Sequence, residues 1–133
     1  MNLPANPSDG EIFALIQDWI NDLADERYAE ALRRVPSESS RNWTAPLLQA
    51  VIAGYGLPEP HPKGTVYRVT RRPVAASDRS TFRVDRKFNP PHALAVVEQD
   101  LPLNGTWSDL TATFLLRESV HGTILQLEEV HVF

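Results

Sequence analysis

The chain has 133 residues, a formal net charge of −4 and 42% hydrophobic residues, a size and composition typical of one folded domain rather than of a disordered segment. It contains no cysteine, which excludes disulfides, thiolate nucleophiles, thiolate zinc sites and iron–sulfur clusters. Because the sequence has neither a signal-peptide pattern nor an apolar run of roughly 18 residues, we expect a cytoplasmic protein that does not interact with a membrane.

The charges are segregated along the chain. Residues 1–62 carry a net charge of −5, residues 63–87 carry +6 and residues 88–133 carry −5. Asymmetry of this kind influences the choice of partner and the rate of association rather than the fold. The basic middle of the chain is therefore a candidate interaction surface.

The pattern of apolar residues divides the chain into a helical part at 8–56, a connector at 57–62 and a sheet part at 63–133, together one domain spanning 1–133. Proline at every second position predicts an extended, polyproline-like connector. In the sheet part the period of the apolar residues changes from that of a helix to two.

The first helix is predicted to begin at Ser8, which is a typical N-cap residue. Glu11, three positions later, can complete a capping box with it. Its polar face, which includes Asp22, is expected to be solvent-exposed. The helical period continues or restarts after Asp25 and stops at Pro36. The apolar face consists of Ile12, Leu15, Ile16, Trp19, Ile20 and Leu23.

A second helix is predicted to begin with Thr44 as its N-cap and Pro46 in its first turn. Gly54 and Gly56 end it, since glycine tolerates the backbone conformation found at helix C-termini. Its apolar face consists of Leu47, Leu48, Val51, Ile52 and Tyr55.

Four or five strands are predicted in the sheet part. Residues 66–71 and 82–85 alternate polar and apolar side chains and are expected to pair with each other, although the segment 78–91 as a whole fits either a strand or a loop. Residues 92–101 are more uniformly apolar, as in a central strand that is buried on both faces.

The dipeptide Asn104-Gly105 predicts a tight β-hairpin, because both central residues of a type I′ turn need positive φ. The hairpin joins a strand at 92–103 to a strand at 106–117. Every second residue of the latter strand faces the core, and its other face is expected to be at least partly solvated. The core positions are Leu110, Ala112, Phe114 and Leu116.

The apolar phase of the last strand changes between Leu127 and Val130. One extra residue must be accommodated if a single face is to stay apolar, and a β-bulge does this. The sequence therefore predicts a bulge at Glu128-Glu129 that bends the final strand.

This order of elements predicts an α+β fold, with N-terminal amphipathic helices packed on one face of a curved, mainly antiparallel sheet of four to five strands. The opening helix, with WINDLADERYAEAL, and the ending meander, from HALAVVEQDL to LEEVHVF, resemble the nuclear transport factor 2-like superfamily. The resemblance implies a cone with a pocket between helix and sheet. Where that family has a helix before the long strands, this chain has DRSTFRVDRKFNPPH, whose prolines and alternation disfavour a helix. The ending also resembles small bacterial domains found beside toxin genes.

The four histidines do not show the spacing of metal ligands, and we expect no metal and no cofactor. His61 and His121 fall in a connector and a turn, where solvated side chains are typical. His92 opens a strand and His131 follows the two acids of the predicted bulge, so these two are the candidate general bases.

Asp100 and Asp109 flank the predicted hairpin by similar distances and are candidates for a pair of catalytic carboxylates. Acids beside a tight turn also serve simply to solvate the end of a strand. Asp109 has the further alternative of pairing with Arg117 or with a base from the middle of the chain.

Trp107 lies out of phase with the core positions of its strand. It is therefore either a lid on the second face or an anchor for a partner, together with Asp109. Trp19 belongs to the apolar face of the first helix, and Trp43 resembles a hydrophobic staple ahead of the second.

The arginines of the basic stretch, residues 63–87, are expected either to contact phosphate, RNA or an acidic protein surface, or to pair with the chain's own acids. The aromatic residues of this stretch, Tyr67 and Phe82, form no base-stacking signature, which argues against a nucleic-acid partner. The residues assigned to a partner-binding surface are Trp107, Asp109, Arg71, Arg72, Arg83 and Arg86.

Two functions are compatible with the sequence. The first is a non-enzymatic protein-binding module, most concretely an immunity-type protein that binds and neutralises a bacterial toxin. Charge segregation and the lack of a catalytic motif favour it. The second is a small cone-fold enzyme or ligand-binding protein, with one of the four candidate acids and bases in a pocket between helix and sheet. A homodimer is compatible with either.

Overall fold

The computed structural model describes residues 2–37, 42–87 and 93–132. In chain order they form the helices α1 (Asp9–Ala24), α2 (Tyr28–Arg34) and α3 (Ala45–Ala53) and the strands β1 (Phe82–Asp85), β2 (Ala95–Leu103), β3 (Thr106–Ser119) and β4 (Gly122–Val132). The strands pair in the order β1-β2-β3-β4, each antiparallel to its neighbour, and the sheet does not close. The α+β fold class predicted from the sequence is confirmed.

Helix α1 begins with the predicted capping box. The Ser8 hydroxyl accepts a hydrogen bond from the Glu11 N–H at 3.1 Å, and the Glu11 carboxylate accepts one from the Ser8 N–H at 3.0 Å. These bonds satisfy two backbone donors that have no partner within the helix. The helix stops at Ala24, and α2 begins separately at Tyr28, after a break in which Glu26 has a φ of 59°.

Asp22 on α1 is buried, with 5% of its surface exposed, so the prediction that it faces solvent is wrong. Helix α2 contacts α1 and places the Arg34 Nε 2.5 Å from the Asp22 carboxylate. The hydrogen bond to Asp22 raises the pKa of the Arg34 guanidinium above its ordinary value. The periodicity of α1 alone could not reveal this burial, because the partner belongs to another helix.

Helix α3 begins at the predicted cap, where the Thr44 hydroxyl accepts a hydrogen bond from the Leu47 N–H at 3.2 Å. The preceding Trp43 is half-buried against the hydrophobic core. Its indole N–H donates to the carbonyl of Glu128 on β4 at 3.0 Å. Trp43 therefore joins the start of α3 to the last strand.

The connector after α3 bends, which corrects the prediction of an extended conformation. The Glu59 N–H donates to the Leu57 carbonyl at 2.8 Å, and the Gly64 N–H donates to the His61 carbonyl at 2.8 Å. The bend brings the Leu57 and Glu59 carbonyl oxygens so close to Gly54 that a Cβ there would lie 2.0 and 2.2 Å from them. Glycine at the end of α3 thus makes this close approach possible.

One hydrophobic cluster joins the apolar face of α1 to alternate residues of the sheet. The Trp19 and Phe114 rings meet edge to face, with centroids 5.1 Å apart and planes at 84°. Phe13 and Phe82 make a similar contact at 5.0 Å. The positions predicted to face the core of β3 are all fully buried: Leu110, Ala112, Phe114 and Leu116.

Residues 66–71 do not form the predicted partner strand of β1. They contribute one bridge, between Val69 and Leu103 of β2, and the Thr70 N–H donates to the Pro102 carbonyl at 2.9 Å. Strand β1 pairs with an earlier part of β2. Because β2 has nine residues and β1 only four, β1 covers only part of the β2 edge. Residues 66–71 lie along the rest of that edge.

The hairpin between β2 and β3 has the predicted backbone, with φ of 49° at Asn104 and 87° at Gly105. The second face of β3, expected to be partly solvated, is buried in the middle of the strand, for example at Thr111. It becomes accessible near the hairpin, where Trp107 is half-buried and Asp109 is exposed.

The predicted bulge in β4 is confirmed. Thr113 of β3 pairs with Glu129, whereas the next residue, Phe114, pairs with Leu127. Glu128 is therefore the extra residue, and both sides of the bulge keep their apolar residues on the core face. Leu127 and Val130, which precede and follow it, are both buried.

Candidate partner-binding surface

Trp107, near the start of β3, is held by the loop of residues 72–80. Its indole N–H donates to the Ala75 carbonyl at 3.3 Å, and the Arg72 guanidinium lies 5.6 Å from the ring centroid. The same guanidinium lies 5.0 Å from the Phe13 ring centroid, so Arg72 makes cation–π contacts with α1 and β3 together. The loop orients Trp107 and leaves part of its ring accessible.

Three neighbouring recesses of the surface share Trp107 as a wall. The largest, of about 500 Å³, lies between the 72–80 loop, Phe13 and Phe82. A second, of about 300 Å³, lies between that loop and the hairpin at Gly105. The third, of about 290 Å³, is called the aromatic recess below and is lined by Tyr55, Tyr67, Leu103, Thr106, Trp107, Ser108 and Asp109.

The aromatic recess combines packed rings with a carboxylate. The Tyr55 and Tyr67 ring centroids are 4.8 Å apart, and the His61 and Tyr67 ring centroids are 5.4 Å apart. The Tyr55 hydroxyl accepts a hydrogen bond from the Asp109 N–H at 3.2 Å, which ties the end of α3 to β3. Asp109 itself has an exposed side chain at this edge.

Tyr55 occupies a backbone position that usually belongs to glycine. The Gly56 N–H donates to the Val51 carbonyl at 2.8 Å and the Tyr55 N–H donates to the Ile52 carbonyl at 3.1 Å, which is the Schellman pattern of a helix end. The residue that follows the C-cap Gly54 then adopts the left-handed conformation, and Tyr55 does so with a φ of 57°. An aromatic side chain in this conformation is uncommon and strained.

Asp100 on β2 is 1% exposed and is held by two arginines and a hydroxyl. Arg83 Nη2 donates to one carboxylate oxygen at 2.9 Å, and the Thr111 hydroxyl donates to the same oxygen at 3.0 Å. Arg79 Nη2 lies 2.9 Å from the other oxygen and also 3.1 Å from the Asp109 carboxylate. One guanidinium therefore joins the two acids.

This arrangement is an ion-pair cluster rather than a pair of carboxylates that share a proton. Asp109 pairs with Arg79, a base from the middle of the chain, which is one of the alternatives predicted for it from the sequence. The hydrogen bond to Asp100 raises the pKa of the Arg83 guanidinium above its ordinary value. Both Asp100 oxygens are bonded within the fold, and with 1% of its surface exposed the side chain is not accessible to a substrate.

Two further arginines assigned to partner binding, Arg71 and Arg86, line none of the three recesses and form ion pairs of their own. Arg71 Nη2 donates to both carboxylate oxygens of Asp25, at 3.0 and 3.1 Å. Arg86 Nη2 donates to the Asp9 carboxylate at 2.8 Å. Of the arginines named from the sequence, Arg72 is the one that contacts the Trp107 ring.

Of the two candidate histidines, the one that the structure describes, His131, lines none of the three recesses beside Trp107. His131 on β4 lies opposite Thr111 in the sheet, and its Nδ1 is 3.3 Å from the Glu129 carboxylate. His92 lies outside the described residues.

The basic stretch is paired with acids from elsewhere in the chain. Among the described residues, five of its arginines form such ion pairs, so much of the charge segregation is balanced within the fold. The pairs are Arg68 with Glu26, Arg71 with Asp25, Arg79 with Asp100 and Asp109, Arg83 with Glu98 and Asp100, and Arg86 with Asp9.

Three residues of this surface were not identified from the sequence. Tyr55 was assigned to the apolar face of its helix and Tyr67 to a strand, while Arg79 was not singled out. The one local signal for Tyr55 is its place between Gly54 and Gly56, where a helix end requires the left-handed conformation. No local signal indicates that Arg79 reaches Asp100.

Within residues 2–37, 42–87 and 93–132, histidine, aspartate and glutamate side chains form no group of three or more that could hold a metal ion. None of the helices in these segments combines the length and the apolar composition needed to cross a membrane. No family model, curated protein or solved structure matches this chain.

Proposed function

We propose that this chain is a non-enzymatic protein-binding module, most concretely an immunity-type protein that binds and neutralises a bacterial toxin in the cytoplasm. The observation that carries the proposal is Trp107, a half-buried aromatic side chain shared by three adjacent recesses. Tryptophan, tyrosine and arginine dominate the binding energy of protein interfaces. Four of the residues that line these recesses with Trp107 are of these types: Tyr55, Tyr67, Arg72 and Arg79.

The candidate acids and bases support binding rather than catalysis. Asp100 is enclosed by two arginines, and neither Asp100 nor His131 lines a recess beside Trp107. Asp109 does line the aromatic recess, but its carboxylate is paired with Arg79. A general acid or base must lie within hydrogen-bond reach of its substrate, and both carboxylates are instead bonded to arginines of this chain.

The proposed partner is a protein rather than a nucleic acid. Nucleic-acid binding depends on cations that are available to phosphates. Five arginines of the basic stretch already pair with this chain's own acids. The recesses around Trp107 carry charges of both signs, since Arg72 and Arg79 line one of them and Asp109 lines another. A homodimer through the same surface is compatible with the proposal.

The proposal includes an arrangement in which the helices cover one face of a curved sheet and the partner contacts the other face near the hairpin, where that face becomes accessible. The contact between Trp19 and Phe114 supports helix packing on the core face. The bulge at Glu128 supports curvature, because a bulge bends its strand. Trp107 and Asp100 belong to the opposite face by strand alternation.

The resemblance to the nuclear transport factor 2-like superfamily underlies the alternative, a small cone-fold enzyme or ligand-binding protein. That function requires one of the candidate acids or bases in a pocket between helix and sheet. The buried carboxylate among these candidates is Asp100. It alternates with Val97 and Gln99, which pair with Phe114 and Ala112 on the core face, so Asp100 faces away from the core. This placement favours the binding module.

Affinity capture from the native host tests the proposal. The full chain, immobilised through a terminal tag, is compared with Trp107→Ser and with a matched control, Val120→Ser. Val120 is 93% exposed in the turn between β3 and β4, at the other end of the strand from Trp107. Circular dichroism confirms that all three forms are folded.

We expect the wild-type chain and the Val120 variant to retain a stoichiometric protein that the Trp107 variant loses. Expression of that protein alone should arrest growth, and co-expression of this chain should restore it. The absence of a stoichiometric partner, or a partner that binds all three forms equally, contradicts the proposal.

A further inference from the structure

We propose that the aromatic recess binds an alkylammonium group, presented by a lysine side chain of the partner protein. The inference rests on the proposed function for the source of the cation, and it names the chemistry that the surface recognises. The recess itself can be tested without the partner.

The recess has the composition of a cation-binding site. Tyr55, Tyr67 and Trp107 all line it, and the faces of aromatic rings carry negative potential that attracts ammonium groups. Asp109 adds a carboxylate whose side chain is 75% exposed; Arg79 pairs with its Oδ1 at 3.1 Å, so a bound ammonium group would share this carboxylate with Arg79. A volume of about 290 Å³ is at the lower end for ligand pockets, which suits the end of one side chain better than a larger molecule.

The Trp107 ring already attracts a cation in this fold. The Arg72 guanidinium lies 5.6 Å from its centroid, in the neighbouring recess beside Phe13. Arg72 does not line the aromatic recess. The aromatic recess is therefore not filled by the Arg72 guanidinium.

The rings are positioned before any ligand arrives. The Tyr55 hydroxyl accepts a hydrogen bond from the Asp109 N–H. The Tyr55 ring packs on the Tyr67 ring, with their centroids 4.8 Å apart. The Trp107 indole N–H donates a hydrogen bond to the Ala75 carbonyl, which holds the ring in place. Such preorganisation reduces the ordering cost of binding.

The strained backbone of Tyr55 is a separate observation that points to the recess. A glycine at this helix end would adopt a φ of 57° without strain, but it would provide no ring. Strained conformations of this kind concentrate at binding and catalytic sites. We infer that the left-handed conformation is retained because it places the ring against Tyr67 and beside Asp109.

A nuclear magnetic resonance titration of the full, ¹⁵N-labelled chain tests the recess directly. The probes are tetramethylammonium chloride and N-acetyl-lysine methylamide, with tert-butyl alcohol as the neutral analogue and sodium chloride at matched ionic strength. The Trp107 indole N–H resonance should shift saturably with both cations and not with the two controls. The indoles of Trp19, which is fully buried, and of Trp43, which is bonded to Glu128, are internal references.

Two variants and one control give the residue dependence. Asp109→Asn and Tyr67→Leu should each weaken tetramethylammonium binding by about fivefold or more, the range of a cation–π or carboxylate contact. Glu118→Gln, an exposed acid near the other end of β3, should leave it unchanged. An unshifted Trp107 indole, an equal response to the neutral analogue, or equal affinity in all variants overturns the assignment.

A further arm identifies the source of the cation. Tetramethylammonium should release the captured partner, and Tyr67→Leu should weaken its binding. If the recess binds tetramethylammonium but the partner binds Tyr67→Leu unchanged, the assignment to a partner lysine is wrong. If no partner is captured, the proposed function fails, and the titration still decides whether the recess binds alkylammonium groups.

Discussion

The Arg83 guanidinium donates to the Asp100 carboxylate at 2.9 Å, and only 1% of Asp100 is exposed. Because Arg79 contacts the other carboxylate oxygen at 2.9 Å, Asp100→Asn removes a buried counter-charge from two arginines at once and leaves the more exposed Asp109 and Glu98 to pair with them. The two arginine side chains keep 33% and 53% exposure and can regain some solvation. We therefore expect the free energy of unfolding to fall by about 2–3 kcal/mol, somewhat less than for a fully buried pair. Urea unfolding followed by circular dichroism measures the change.

Asp109→Asn is the matched control for this variant. It removes a carboxylate from the same guanidinium, but the Asp109 side chain is exposed and solvent screens its interaction. The free energy of unfolding should fall by less than about 1 kcal/mol. Equal losses for the two variants would show that burial of Asp100 does not determine the strength of the cluster.

Tyr55 provides a test of backbone strain at the end of α3. Both Tyr55→Gly and Tyr55→Ala lose the ring contact with Tyr67, but alanine keeps the unfavourable left-handed conformation. The glycine variant should be more stable than the alanine variant by about 1 kcal/mol, the reverse of their order within a helix. Thermal or urea unfolding of the two variants measures the difference. A more stable alanine variant would contradict a φ of 57° at this position.

Gly54 tests the close approach between the connector and the end of α3. Gly54→Ala places a Cβ 2.0 Å from the Leu57 carbonyl oxygen and 2.2 Å from that of Glu59, and both are backbone atoms. The connector must move, so we expect a loss of about 2–4 kcal/mol in the free energy of unfolding, as for other severely strained substitutions.

Gly10→Ala is the control for this substitution. A Cβ at Gly10, in the first turn of α1, meets only the Ser8 hydroxyl oxygen at 3.8 Å. Alanine has the higher helix propensity, so this variant should gain about 0.5–1 kcal/mol. A neutral Gly54→Ala would mean that the connector does not fold back on α3.

The bulge at Glu128 is tested by deleting the residue. Without it, Leu127 and Val130 are two residues apart, so strand alternation still keeps both on the core face. The deletion loses the hydrogen bond from the Trp43 indole to the Glu128 carbonyl, so we expect a loss of only about 1–2 kcal/mol in the free energy of unfolding. Deletion of Gln126, from the regular part of β4, instead moves Leu125 or Leu127 off the core face and should cost about 2–4 kcal/mol or more, comparable to the removal of a large buried side chain. Urea unfolding compares the two deletions, and equal losses would contradict the register of β4.

Several local features could be predicted because their causes lie within a few residues. The capping box at Ser8 and Glu11 depends on one helical turn. The hairpin at Asn104 and Gly105 depends on two positive φ values. The bulge at Glu128 follows from the phase of the residues beside it.

The candidate surface was only partly predictable. Trp107 could be identified because it is out of phase with the core of its own strand. Tyr55 and Arg79 could not be identified, because their partners are far away in the sequence. Tyr55 bonds to Asp109, which is 54 positions later. Arg79 pairs with Asp100 and Asp109, which are 21 and 30 positions later. The same limit explains the wrong expectation for Asp22, whose partner Arg34 lies on the next helix.

The amino-acid sequence was sufficient for the α+β class, the helix caps, the hairpin and the bulge, since these depend on backbone conformations that neighbouring residues restrict. The tertiary structure was needed to show which acid pairs with which arginine, where residues 66–71 lie along β2, and how Trp107 comes to share a recess with Tyr55 and Tyr67. Those relationships depend on contacts between segments far apart in the chain. No local conformational preference specifies such contacts, because they form only when the whole core packs.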